Sequence, residues 1–299
     1  MNATKIYAVI VIIFGIAYAS NLYWLYKLLA DIGGSGYFQF SYLIRYIPVF
    51  MGITGLIIFI QSKYKRSNLF RVMMCLEVVS FPFVAVWYML YFTKDMRGLN
   101  QRLPINWQVY YGIAINFLLF VSSVVGLRML SLNKTARLTY VEYSGERTAQ
   151  FSPVKADIRF ANRLIDAIMI IYVLLINIAS FNAFSDYGSR FQPQYIFLLE
   201  IPFLLLYYII LEGIFNTTAG KCATGTTITN ANGERPSFGQ IAGRTFCRLI
   251  PFEAFSFFAA GARGWHDTMS NTYVVQSINK EDAFMDEIIF DAELENPPV

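Results

Sequence analysis

Six stretches of roughly twenty residues, each nearly free of charge, constrain this chain more than any other feature: about 6–29, 42–60, 70–92, 107–130, 161–184 and 195–215. Twenty apolar residues in a helix match the thickness of a bilayer's hydrocarbon core. A helix is also the form in which such a segment satisfies its own backbone polar groups there. Charged residues make up 15% of the chain, where a soluble domain carries about 25%, and 56% of the residues are hydrophobic. The expected fold class is therefore all-α, a polytopic membrane helical bundle of about six transmembrane helices. A seventh apolar stretch, 249–262, is shorter and holds Pro251 and Glu253. It is expected to be re-entrant or interfacial. Ala17-Tyr18-Ala19 fits a cleavage site, but apolar residues continue beyond it, so the first segment is expected to stay as an uncleaved anchor.

Lys and Arg divide unevenly between the two sides. Lys27, Arg45, Lys94, Arg97, Arg102 and Arg190 fall on one side, and the other 18 of the 24 fall opposite. The positive-inside rule makes the richer side cytoplasmic and puts both termini there. The polar stretch between the fourth and fifth segments divides the chain into a four-span region (1–132), a cytoplasmic linker (133–156), a C-terminal membrane module (157–278) and an acidic tail (279–299). Strand-forming residues around 138–143 predict a short β-hairpin in the linker. The tail, with seven acids from Glu281 to Glu295, is expected to be mostly solvated.

Charges at or in a bilayer are costly and usually have a task. Arg163 and Asp166 are three apart and share a helix face; Asn177 and Ser180 extend that face as a polar stripe. Such a stripe serves either as a cation or proton relay or as an Arg–Asp pair that fixes helix packing. Glu77, Asp166 and Glu212 fall in the same cytoplasmic half of the membrane. Ser237 and Gln240 match a capping box at the start of an amphipathic helix running to Ile250. That helix is expected to lie in the interface with its arginines at the headgroups; the alternative has Arg244 reaching inward to Asp166 or Asp267. Thr226 to Thr229 followed by Asn232-Gly233 predicts a strand and a tight hairpin turn. His266, the single histidine, stands beside Asp267 and either gates protons or fixes the chain's return from the membrane.

Arg163-Leu164-Ile165-Asp166, Thr218-Ala219-Gly220-Lys221, Gly225, Asn232-Gly233, Pro236, Arg244, and Trp265-His266-Asp267 with Thr272-Tyr273-Val274-Val275 follow one another in an order that resembles the RDD family of bacterial membrane proteins, over about 157–275. The stretch before His266 is shorter than the third helix that many members carry. The resemblance implies a location in the bacterial inner membrane. It also implies movement of a small cation or proton of the Na+/H+ exchange kind, with Arg163, Asp166, His266 and Asp267 as the candidate relay and Glu77, Glu212, Lys221 and Arg244 in support. The alternative is a non-transporting subunit or scaffold of a membrane complex. The expected partners are the lipid bilayer, Na+ or H+, and other membrane proteins or a second copy of the chain.

Other classes are disfavoured. Lys221 precedes Gly225 instead of following it, so no phosphate-binding P-loop is formed. One histidine and cysteines without C-x-x-C spacing argue against a metal site or other cofactor. A net charge of +4, small and unevenly spread, does not suggest nucleic acid. No nucleophile–base order appears, so no enzyme is expected.

Overall fold

A computed structural model describes residues 3–35, 46–92, 107–137, 139–143, 146–150, 154–184, 194–250, 253, 256 and 264–283. All six apolar segments are helical: α1 (Ala3–Ser35), α2 (Ile47–Gln61), α3 (Asn68–Phe92), α4 (Trp107–Leu132), α5 (Ala156–Phe184) and α6 (Gln194–Phe215). Among the described residues, four helical stretches are long and apolar enough to cross a membrane: Ala3–Lys27, Asn68–Val86, Trp107–Leu132 and Ala156–Asn177. α2 is apolar but shorter. Most of 249–262, the stretch expected to re-enter the membrane, lies outside the described residues, as does most of the acidic tail.

The chain forms two compact units, one from Met1–Leu127 with Tyr172–Phe191, the other from Arg128–Ile171 with Gln192–Val299. In the first, α1, α2 and α3 meet at an aromatic knot. Phe14 sets its edge against Phe70 at 4.9 Å, and Phe59 lies 5.1 Å from Phe70. All three rings are fully buried. Gly55 makes the approach of α2 to α3 possible, because a Cβ there would stand 3.0 Å from the Phe70 backbone nitrogen. The outward faces are apolar as well: Val9, Ile12 and Ile16 on α1, and Ile47, Phe50, Ile57 and Ile60 on α2, are all exposed. Water would penalise that arrangement and lipid does not. The helices are therefore built for a hydrocarbon surround. Glu77 lies on α3 in this unit.

The second unit adds strands and short helices. β2 (Thr139–Tyr143) and β3 (Glu146–Gln150) form the expected linker hairpin, in register from Thr139↔Gln150 to Tyr143↔Glu146. After α6 come α7 (Ala219–Thr224), β4 (Thr226–Asn230), α8 (Phe238–Cys247), α9 (Trp265–Ser270) and β5 (Thr272–Asn279). With β1 (Lys134–Ala136), β5 and β4 form a three-stranded antiparallel sheet in the order β1-β5-β4. The hairpin expected around Asn232-Gly233 is thereby corrected. β4 is a strand and the turn is present, with Gly233 at φ 78°. β4's partner, however, is β5, in the register Ile228↔Val274, and the chain after the turn enters α8. Val154, Ile228 and Val274 form a small core covered by Ile158, which ties the start of α5 to this sheet.

The expected amphipathic helix is α8, and both halves of its capping box form: the Ser237 hydroxyl accepts from the Gln240 N–H, and the Gln240 side chain accepts from the Ser237 N–H. Its orientation reverses the interfacial expectation. Phe238 and Phe246 are exposed, whereas Arg244 and Arg248 are buried. The basic face points into the protein because fixed carboxylates wait there.

Candidate functional site: a buried charge cluster in the C-terminal module

Four residues on one face of α5 organise the site. Arg159, Asn162, Arg163 and Asp166 stand at helical spacings of three and four residues, so their side chains line up. Opposite them the chain is sharply punctuated. α6 ends where Asn216 adopts a left-handed conformation (φ 55°), Thr218 caps α7, and Gly225 (φ 68°) ends it. Asparagine and glycine tolerate that conformation where bulkier residues do not.

Asp166, 2% exposed, is held by this turn. Its Oδ1 accepts from the Tyr207 hydroxyl and from the Gly220 N–H, both at 2.7 Å, and its Oδ2 accepts from the Thr218 hydroxyl at 2.9 Å. Thr218 in turn accepts from the Lys221 N–H. Asn162, one turn earlier on α5, donates to the Thr226 hydroxyl at 3.0 Å. These bonds assign the T-x-G-K turn a physical role. It supplies neutral donors to a buried carboxylate, and its glycine lets α7 press against α5: a Cβ on Gly220 would stand 2.1 Å from the Asn162 carbonyl oxygen.

A second carboxylate, Glu212 near the end of α6, gathers three cations. Lys221 Nζ lies 2.7 Å from Oε1, Arg248 Nη2 2.7 Å from Oε1, and Arg244 Nε 3.1 Å from Oε2. Arg244 continues to Asp267 through Nη1 and donates to the Thr272 hydroxyl at 2.8 Å. Asp267 also pairs Arg159 of α5. His266 contacts Glu253 through Nδ1, and its Nε2 is 3.3 Å from Asp267 Oδ1. Arg163 Nη1 donates to the Tyr208 hydroxyl at 2.8 Å, while the Arg248 guanidinium lies 3.7 Å above the Tyr208 ring. Such stacking is favourable for a desolvated guanidinium.

Among the described residues the cluster thus joins five cations (Arg159, Arg163, Lys221, Arg244, Arg248) to four acids (Asp166, Glu212, Glu253, Asp267). Of the eight expected site residues, Arg163, Asp166, Glu212, Lys221, Arg244, His266 and Asp267 belong to it. Glu77 lies in the other unit. Asn177 turns back on its own helix, donating to the Val173 carbonyl at 2.7 Å; the Ser180 side chain lies outside the described residues. Arg244 reaches inward to Asp267, as one reading had it, and also to Glu212. The sequence reading did not single out Arg159, Asn162 or, as a site residue, Glu253. For the first two the signal was available, since both fall on the Asp166 face of α5.

The burial has electrostatic consequences. Desolvation pushes the Lys221 ammonium down to about 8, against the pull of Glu212, and the Arg244 guanidinium down to about 10. Burial and then the charges of Arg244, Arg248, Arg159 and Lys221 hold the His266 imidazole well below its ordinary range. It is neutral at pH 7 and can donate to one carboxylate, and Glu253 is the closer. The folded chain resists a proton that the unfolded chain accepts, so unfolding gains ground as pH falls below about 6.5. His266→Asn is expected to flatten the loss of thermal stability between about pH 6.5 and 5, by up to about 1.4 kcal/mol per pH unit. A profile parallel to the parent's would count against a buried neutral imidazole.

A cavity of about 30 Å³ opens in the cluster, lined among others by Arg159, Arg163, Asp166, Lys221, Arg244 and Arg248. By volume it holds about two waters. Among the described residues no group of three or more His, Cys, Asp or Glu side chains is arranged to hold a metal ion.

Residues 154–271 match the family model of the RDD family. No curated protein and no solved structure matches the chain. The matched span contains every member of the cluster, from Arg159 to Asp267. The C-terminal module of this apolar, multi-helix chain is an RDD family module.

Proposed function

We propose that this membrane protein handles a small ion through its RDD module, exchanging it against a proton in the manner of Na+/H+ exchange. The observation that carries the reading is the environment of Asp166. Exchange needs a carboxylate that can trade its charge for a proton. Protonating Glu212 or Asp267 would strand arginines or a lysine in a buried site, at a cost of several kcal/mol. Asp166 differs, because its bonded partners are hydroxyls and a backbone N–H, so its neutralisation leaves no bonded cation without a counter-charge. It also lines the cavity. Arg163, one turn away, sets the local potential, and the pairs around His266 and Asp267 act as the gate that must part for passage.

The test is flux. Full-length protein in proteoliposomes, with a pH-sensitive dye inside, is expected to dissipate an imposed proton gradient when Na+ is added. Asp166→Asn is expected to abolish this while inserting normally. Absence of Na+-dependent dissipation in the parent protein would remove the exchange reading. A second reading, a non-transporting subunit of a membrane assembly, is favoured by one specific observation: both oxygens of Asp166 are already engaged by three donors. Under it, Asp166→Asn alters which polypeptides co-purify in mild detergent and leaves ion gradients untouched.

A further inference from the structure

We propose that the cavity in the charge cluster is a binding site for a phosphate-type oxyanion, with Arg163 as its principal charged contact. This does not rest on the exchange reading, since an anion can occupy the module whether or not ions cross it. Among the described residues five cations and four acids meet in the cluster, and the cavity wall is more one-sided still: Arg159, Arg163, Lys221, Arg244 and Arg248 line it, and of the described acids only Asp166 does. Both Asp166 oxygens are turned to the Tyr207, Thr218 and Gly220 donors. Glu212 and Asp267 are the acids that Lys221, Arg244, Arg248 and Arg159 contact, two negative charges against four positive, so the excess is shared across the wall. Among the described cations there, Arg163 is the one whose hydrogen bond goes to a neutral group, the Tyr208 hydroxyl.

A guanidinium held half-buried on a membrane helix with no carboxylate bonded to it is costly. An anion in the cavity removes that cost and gains charge-assisted hydrogen bonds. Guanidinium forks match the oxygens of phosphate better than they match a halide. An anion entering the cavity displaces about two waters, as many as it has room for. A phosphate group can come from free phosphate or from an anionic lipid headgroup, and both present the same oxygens.

Two arms separate these sources. In the first, full-length protein in neutral detergent is titrated with inorganic phosphate against chloride at equal ionic strength, and thermal unfolding is followed. In the second, the protein is placed in phosphatidylcholine nanodiscs with and without phosphatidylglycerol, and lipid retained after re-extraction is counted by mass spectrometry. A saturable rise in melting temperature with phosphate assigns the site to the free ion. Stoichiometric retention of phosphatidylglycerol without a phosphate effect assigns it to a headgroup. In either case Arg163→Gln is expected to weaken binding at least about tenfold, the loss of one charge-assisted contact. Arg163→Lys, which keeps the charge and loses the fork, is expected to bind more weakly than the parent and more tightly than Arg163→Gln, and it carries the test should the Gln variant fail to fold. No phosphate effect together with no retained anionic lipid overturns the proposal. So does binding that Arg163→Gln leaves unchanged or, where that variant does not fold, that Arg163→Lys leaves unchanged.

Discussion

Glu212→Gln is expected to lower the melting temperature of the C-terminal module by more than about 10 °C. The substitution preserves shape and removes one charge, but that charge holds Lys221, Arg244 and Arg248 together at 2.7–3.1 Å. Without it, three buried cations face one another across a neutral amide. Breaking one buried pair by removing a single partner costs about 3–5 kcal/mol, a large share of the about 5–15 kcal/mol that holds a typical domain folded. Here three pairs lose the same partner. Fluorescence-monitored thermal unfolding in detergent, with size-exclusion elution as the measure of folded yield, checks this. A Gln variant that elutes like the parent and melts within a few degrees of it would refute the hub role of Glu212.

Gly220→Ala is the second large effect, and it acts through the backbone. An added Cβ would lie 2.1 Å from the Asn162 carbonyl oxygen and 2.8 Å from that residue's Cα and carbonyl carbon. Those are main-chain atoms inside α5, so no side chain can swing aside. α7 must move by about 1 Å or more, and the Gly220 N–H then leaves Asp166. Overpacking of this kind costs about 1–3 kcal/mol, and a hydrogen bond to a charged acceptor adds about 1.5–3 kcal/mol. The comparison that isolates the mechanism is Gly213→Ala or Gly243→Ala, where a Cβ meets nothing within 4 Å. Both lie inside helices, where alanine is the better former, and both are expected to melt at or above the parent temperature. Equal behaviour of all three alanine variants would contradict the close approach at Gly220.

Much of this architecture was legible because its signals are local. Apolar runs locate helices wherever the solvent is lipid, the Ser237–Gln240 spacing announces a cap, and Arg163 to Asp166 marks a helix face. What the pattern left open was long-range. β4 and β5 are more than forty residues apart, and each looks like any short strand; their pairing is decided by Val154, Ile228 and Val274 closing a core, which no local window contains. The sequence leads one to expect the arginines of α8 outward, because amphipathicity gives two faces and not their direction. In water the apolar face goes in. Beside a bilayer it can go out, and Glu212 and Asp267 made that the better choice. Glu212 stood out only as an acid near the end of a span, since Lys221, Arg244 and Arg248 lie 9, 32 and 36 residues from it in sequence. Arg159 was passed over because Arg163 is the nearer partner of Asp166 along the helix. In the fold Arg159 pairs Asp267 instead, closing the circuit from α5 to α9.

Charges scattered through the C-terminal module fold it by pairing with one another in a buried cluster. A double-mutant cycle on Glu212 and Lys221 tests this most directly, with Glu212→Gln, Lys221→Met and the double variant compared by unfolding in the same detergent. Groups in direct buried contact are expected to couple by about 2 kcal/mol, within the range of about 0.5–3 kcal/mol seen for contacting pairs, with the double variant less destabilised than the two single losses added together. Strict additivity, within about 0.5 kcal/mol, would mean that the two charges do not sense each other, and the buried cluster would fail as the account of how this module holds together.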